Sequence, residues 1–326
     1  MRIHLLCPTA AAAAFLFAGP LAGCASGPTG TPGALPANAP QAQTHFDFRR
    51  EVFGSGLDPM ADTPPGDVAV SDFEGAVEVL NSSYHVEQTI TNGLRGNDGD
   101  WYDANENLYV ANYAGVNVQE YKHDATSPSF TYSSGLGDPV RVSTDAAGNV
   151  YVADFGGDYA SVIVEYPQKR NTPIHVCSTG LANAGIAIDK AGDVFVSGIN
   201  SKFVGNIMEY AGGLSGCHGK TLRPVLSTAG ALTIDKQGAL IAADQNGAVD
   251  IIKKPYTSVN GTCGSGYYDP YSVALNRAQN LLFVADPGNG NVQVLNYPAC
   301  TLNKTLGSAN GLYEPLGVAA HPGRSQ

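Results

Sequence analysis

The chain has 326 residues, 39 of them Gly and 20 Pro, with 43% hydrophobic side chains and a formal charge of −11. Charged residues make up only 14%, against roughly 25% in ordinary globular proteins, so a coiled coil or long-helix protein is excluded, while 16 Tyr and 11 Phe exclude a disordered chain. The acidic balance argues against a nucleic-acid or anionic-membrane surface partner, because such partners are held by clustered Lys and Arg.

Residues 1–23 have the layout of an export signal. Arg2 precedes an apolar run from Ala10 to Ala18 that is too short to span a bilayer. The segment ends in Leu21-Ala22-Gly23-Cys24, which resembles the lipobox of bacterial lipoproteins. That resemblance implies cleavage before Cys24 and lipidation of its side chain, hence a lipid-anchored protein of the bacterial cell envelope. Ala25 is not Asp, which by the same resemblance favours the outer over the inner membrane. Residues 24–44, the lipidated Cys and a Gly/Pro/Ala-rich stretch without charge, cannot bury enough apolar surface to fold. As flexible coil they form a tether with an r.m.s. reach of about 25 Å. Residues 45–62 follow as an N-terminal extension, and the folded body is expected over residues 63–326.

That body repeats. Short runs of alternating hydrophobicity recur at Asp67–Asp72, Leu108–Asn112, Val150–Asp154, Val194–Gly198, Leu240–Asp244 and Leu282–Asp286, 40 to 46 residues apart. One five-residue strand per interval leaves room for about three more, which is a propeller blade. Ahead of the run stands an Asp-x-x-Gly turn, as in Asp145–Asn149, Asp189–Asp193 and Asp235–Ala239, with Gly at the φ > 0 position of a tight hairpin. Before that turn lies an apolar innermost strand, and after the run a third strand ending in Tyr121, Tyr166, Tyr210 or Tyr297. A fourth, more polar strand completes the unit, for example Pro173–Cys177. The first unit lacks its innermost strand, and Glu314–Ala320 supplies one with nothing after it. The sequence therefore predicts an all-β, six-bladed propeller of four-stranded blades, its ring closed by pairing the C-terminal strand with the N-terminal blade. The pattern resembles the NHL-type six-bladed propellers over about residues 63–320. The resemblance implies a fold and no single activity, since this architecture hosts many functions.

Cys7 leaves with the signal and Cys24 takes the lipid, leaving Cys177, Cys217, Cys263 and Cys300 of the 6 cysteines. Four cysteines in an exported chain allow three pairings. Repeat position favours Cys177 with Cys217 and Cys263 with Cys300, because each pair joins an outer strand to the equivalent place in the next unit. No Cys-x-x-Cys spacing points to a metal.

The usual catalytic signatures are missing, and the 7 His are scattered, none at metal-ligand spacing from another. The recurrent strand-end residues Asp72, Asn112, Asp154, Asp244 and Asp286 are expected to bond nearby backbone N–H groups. Candidate ligand-binding residues, Asn183 among them, lie at the starts of the innermost strands, where Asp138, Asp269 and Glu314 each precede a Pro and would ring one channel mouth. Arg141 is a large cation where the other units place Gly99, Gly185, Ala231, Ser272 and Gly317. It is expected to neutralise Asp138 or Glu314, or else to hold an anionic ligand group. Asp98, Asp100 and Asp103, with Asn105 and Asn107, read as one acidic loop that could take calcium or another divalent ion, although the order of a calcium loop is absent. No other cofactor is expected.

Two functions fit. The first is a binding or scaffold module that takes a protein, peptide or glycan on the channel face; a monomer is expected, touching the membrane only through its lipid. The alternative is a metal-dependent hydrolase or lyase of the gluconolactonase-like or amidating-lyase-like kind. That resemblance would recruit Glu314, Asp138, Asp269 and Asn183 as metal ligands, but the early Glu-Gly-Pro signature of gluconolactonases does not occur, Glu74-Gly75 being followed by Ala76.

Overall fold

The computed structural model describes residues 67–156 and 161–322. The expected signal, Cys24, tether and extension lie outside the described residues. Among the described residues, twenty-four strands form six four-stranded antiparallel sheets. Blade 1 holds β1 (Val68–Asp72), β2 (Val77–Leu80), β3 (Val86–Ile90) and, as its innermost strand, β24 (Pro315–Ala320). Blade 2 is β4 (Asn97–Tyr102), β5 (Leu108–Asn112), β6 (Asn117–Tyr121) and β7 (Phe130–Tyr132). Blade 3 is β8 (Pro139–Thr144), β9 (Val150–Asp154), β10 (Val162–Tyr166) and β11 (His175–Ser178). Blade 4 is β12 (Ala182–Ile188), β13 (Val194–Ile199), β14 (Gly205–Tyr210) and β15 (Lys220–Thr221). Blade 5 is β16 (Ala229–Ile234), β17 (Leu240–Asp244), β18 (Ala248–Ile252) and β19 (Gly261–Thr262). Blade 6 is β20 (Ser272–Leu275), β21 (Leu281–Asp286), β22 (Asn291–Asn296) and β23 (Thr301–Leu306). The innermost strands β24, β4, β8, β12, β16 and β20 touch one another in that order around the ring.

The second strand of each blade is apolar on both faces because both are covered by neighbouring blades. Leu108–Asn112, Val150–Asp154 and Leu240–Asp244 are buried throughout. Six apolar clusters fill the seams, one per pair of adjacent blades: Phe195, Ile207, Leu240 and Ile252 lie between blades 4 and 5, and Val70, Leu80, Phe283 and Val318 between blades 6 and 1. The Tyr that ends the third strand ties a seam. Tyr121 donates its hydroxyl to the Asn92 carbonyl (2.6 Å) and Tyr166 to the Ser134 carbonyl (2.7 Å), each reaching the loop that leaves the preceding blade.

Side-chain oxygens fix the turns. Asp145 Oδ1 accepts from the Ala147 and Asn149 amides at 2.9 Å, with Gly148 at φ +83°, and Asp189 and Asp235 repeat the arrangement. The strand-end residues also bond backbone amides, but most reach further than their own hairpin. Asp154 Oδ2 accepts from Gly137 and Asp138 (2.7 and 3.0 Å), Asp244 from Ser227 and Thr228 (2.7 and 2.8 Å), and Asp286 from Tyr268 and Asp269 (2.9 Å each). They therefore clamp the loop entering the innermost strand of their own blade. Asp72 accepts the Gly75 and Ala76 amides (3.1 and 3.0 Å) and so closes its own turn.

Cys177–Cys217 and Cys263–Cys300 are the disulfides, with Cα–Cα distances of 5.3 and 4.8 Å. They link blade 3 to blade 4 and blade 5 to blade 6. With separations of 40 and 37 residues, each contributes on the order of 3–4 kcal/mol by restricting the unfolded chain.

The ring closes as expected. β24 pairs antiparallel with β1, Val68 opposite Ala320 and Val70 opposite Val318, so β1 presents no free edge to template aggregation. A Cβ on Gly317 would strike Ser71 Oγ and lie 2.8 Å from the Asp98 carbonyl. Gly317→Val is accordingly expected to destabilise the fold by at least about 2 kcal/mol in urea denaturation; a change within about 0.5 kcal/mol would contradict this packing.

Candidate functional site

The innermost strands bring the acidic and basic candidates to the ring axis, but in a different set of partnerships from those expected. Arg141, on β8, is 4% exposed and pairs with Asp98 rather than with Asp138 or Glu314. Its Nη1 also donates to the Val140 carbonyl (2.7 Å) and its Nη2 to the Tyr271 carbonyl (3.4 Å), while the guanidinium lies 4.7 Å from the Tyr271 ring centroid. Tyr271 completes the group by donating its hydroxyl to Asp98 Oδ2 (3.1 Å). Asp98 is in blade 2, Arg141 in blade 3 and Tyr271 at the start of blade 6. In a ring of six, blades 3 and 6 stand opposite each other, so this cluster bridges the channel. Burial raises Asp98, and the charge and hydrogen bonds of Arg141 with the Tyr271 hydroxyl counteract it.

Asp98 and Asp100 are not in a loop. Both belong to β4, where a register shift between Asn97 and Asp100 bends the strand. Gly99 between them has no side chain because a Cβ would lie 2.7 Å from the Val140 carbonyl and 2.9 Å from Arg141 Nη1. The acidic group also divides rather than converging on one ion. Asp98 is held by Arg141 and Tyr271, and Asp103 accepts the Asn105 and Asn107 amides at 2.8 Å as a turn residue. Asp100 is 7% exposed. The neighbouring Ser71 hydroxyl lies 3.4 Å from the Asp98 carbonyl and close to the Asp100 carboxyl, which it reaches only weakly. Burial pushes Asp100 up to about 7, against the pull of Ser71 and Arg141.

Asp138, Asp269 and Glu314 stand at or just ahead of the starts of β8, β20 and β24. Asp138 is half-buried, Glu314 exposed and Asp269 buried. Burial, and then Asp286, pushes Asp269 up to about 7. Asn183 is 1% exposed and fully engaged: its amide donates to the Asp154 and Val162 carbonyls (3.0 and 2.9 Å) and its oxygen accepts from Thr179 Oγ1 (2.7 Å). It supports blade 4, where Gly198 stands in place of the strand-end Asp.

A cavity of about 260 Å³ opens at the opposite ends of the innermost strands. Val142, Ile186, Leu232, Val273 and Val318 form apolar wall, and Asp100 and Arg141 belong to its lining. None of Asp138, Asp269 and Glu314 lines it. Arg141 Nε is buried without an acceptor, so an unpaired donor accompanies the buried carboxyl of Asp100. The sequence singles out Arg141 by its size and names Asp100 only as part of an acidic loop; its inward placement beside the cavity depends on the bulge in β4.

No protein-family profile matches the chain, and no curated protein matches it in sequence. Solved structures do. A structure of the nidogen/laminin complex contains a chain with 15% identity and a TM-score of 0.64, the match covering 78% of this chain and 97% of that one. A functionally unknown protein from Desulfotomaculum acetoxidans is similar at 12% identity and TM-score 0.57, over 79% and 99% of the two chains. Streptogramin B lyase aligns at 9% identity and TM-score 0.51, over 74% and 73%. These likenesses show the fold. They span proteins of different function and assign none to this chain.

The Asp100 carboxyl sets a pH dependence. Its folded-state value of about 7 lies above the ordinary value near 3.9, so the native state holds a proton that the unfolded chain releases, and stability falls as pH rises from about 4 through 7. Asp67 and Asp269, both also pushed up to about 7, act in the same direction. Asp100→Asn is expected to shrink the loss of melting temperature between pH 5 and pH 8; an unchanged pH profile would contradict a buried, weakly bonded carboxyl.

Proposed function

We propose that this protein is a ligand-binding module of the bacterial cell envelope, an NHL-like propeller held at the membrane by lipidated Cys24 and the tether of residues 24–44. The ligand is a protein, peptide or glycan group that enters the cavity at the strand-end mouth. The observation that carries this is the cavity itself, apolar-walled, with the buried carboxyl of Asp100 and the side chain of Arg141, whose Nε lacks an acceptor, both on its lining. Buried polar groups without partners are costly, and a ligand group able both to donate and to accept, such as a sugar hydroxyl or a carboxamide, satisfies both.

The enzymatic alternative draws less support from the site. Asn183 is held within the fold by three hydrogen bonds. Among the described residues, the one cluster of three His, Cys, Asp or Glu able to share an ion contains none of Asp138, Asp269 and Glu314. A binding role needs no such set.

Peptide and glycan arrays probed with the purified protein test this. Thr233→Trp, which places an indole on the cavity wall, is expected to weaken binding of any hit at least tenfold, whereas Asp138→Ala and Glu314→Ala leave it unchanged. Binding kept in Thr233→Trp but lost in Asp138→Ala or Glu314→Ala would move the ligand to the other mouth and overturn the assignment.

A further inference from the structure

Glu106, His123 and His321 meet where blades 1 and 2 adjoin. Glu106 lies in the turn between β4 and β5, His123 just beyond β6, and His321 directly after β24. One ligand atom from each lies within 4.8 Å of the others. His123 Nδ1 is 3.6 Å from Glu106 Oε2, and its Nε2 is 3.1 Å from Asp124 Oδ2. The two imidazole rings are 5.4 Å apart, and Tyr102 packs edge-on against His321 at 4.9 Å. A small cavity of about 10 Å³, lined by Glu106, His123, Asp124 and Tyr102, has room for a single water or ion.

A second observation points the same way. Asp67 is completely buried, both its carboxylate oxygens lack a hydrogen-bond partner, and its backbone carbonyl accepts the His321 amide at 2.8 Å. Two carboxylates, Glu106 and Asp124, flank His123, with Lys122 the cation on the lining of the small cavity. A divalent cation relieves their mutual repulsion.

We propose that Glu106, His123 and His321 bind one divalent transition-metal ion of the zinc class, with a water as fourth ligand. Two imidazoles with a carboxylate suit zinc or cobalt, whereas calcium and magnesium select oxygen ligands. Bonds of about 2.0–2.2 Å in a tetrahedron set ligand atoms about 3.4 Å apart, so the side chains close by roughly 1 Å on binding. Because His321 follows β24 and His123 follows β6, the ion staples the end of the closing strand to blade 2.

The test uses the full chain without a histidine tag, stripped by a chelator and titrated with zinc chloride by calorimetry, with melting temperature followed in parallel. One zinc ion per chain and a raised melting temperature are expected, and cobalt substitution should give the visible absorption of a tetrahedral site. His123→Ala and Glu106→Gln should each weaken zinc binding at least tenfold, while His175→Ala does not. The His123 side chain is 22% exposed, so its variant carries the test even where His321→Ala fails to fold. No heat and no melting shift in the unaltered chain, or zinc binding undiminished in His123→Ala, would overturn the proposal. Calcium binding as strong as zinc would overturn the metal class.

Discussion

The pairing of β24 with β1 is the constraint on which the rest of the ring depends. Each blade buries the faces of its middle strands only because a blade stands on either side, so an open array would leave two apolar faces and a strand edge in water. The closing strand removes both. It also carries Gly317 against the Asp98 carbonyl and sets the backbone of His321 on that of Asp67. The channel and the proposed metal site are therefore built on a contact between the two ends of the propeller.

Within the ring, Arg141 acts as a bridge between opposite blades. A buried ion pair gains little over an apolar substitute, yet removing one partner typically costs about 3–5 kcal/mol because the other charge is stranded. Asp98, Tyr271 and the carbonyls of Val140 and Tyr271 supply partners that make burial of the guanidinium tolerable. The arrangement divides the axis into two unlike ends. At one, Asp138, Asp269 and Glu314 sit at strand starts, and Asp154 and Asp286 hold the loops that carry Asp138 and Asp269. At the other, an apolar funnel leads to Asp100.

Much of this was legible in the sequence because it repeats. The strand runs, the missing and supplied innermost strand, and the disulfide pairing all follow from position within a unit, and position within a unit is local information. The strand-end Asp residues read as backbone acceptors from their place in the unit, but their longer reach to the loop entering the innermost strand depends on tertiary contact. What escaped is non-repeating and lies between distant segments. Asp98 and Asp100 read as a loop because alternating Asp and Gly rarely form an innermost strand; they do so here because Arg141 and Gly317 fill and spare the space around them. His123 and His321 had no spacing to betray them, since only ring closure brings them together.

Native-state hydrogen exchange on the backbone amides of β1 and β24 tests the central claim most directly. If the closing pair is integral to the ring, those amides exchange only through global unfolding, with the same free energy as the buried second strands β9 and β17. Exchange of β24 at a markedly lower free energy, as a fraying terminal segment, would contradict the account.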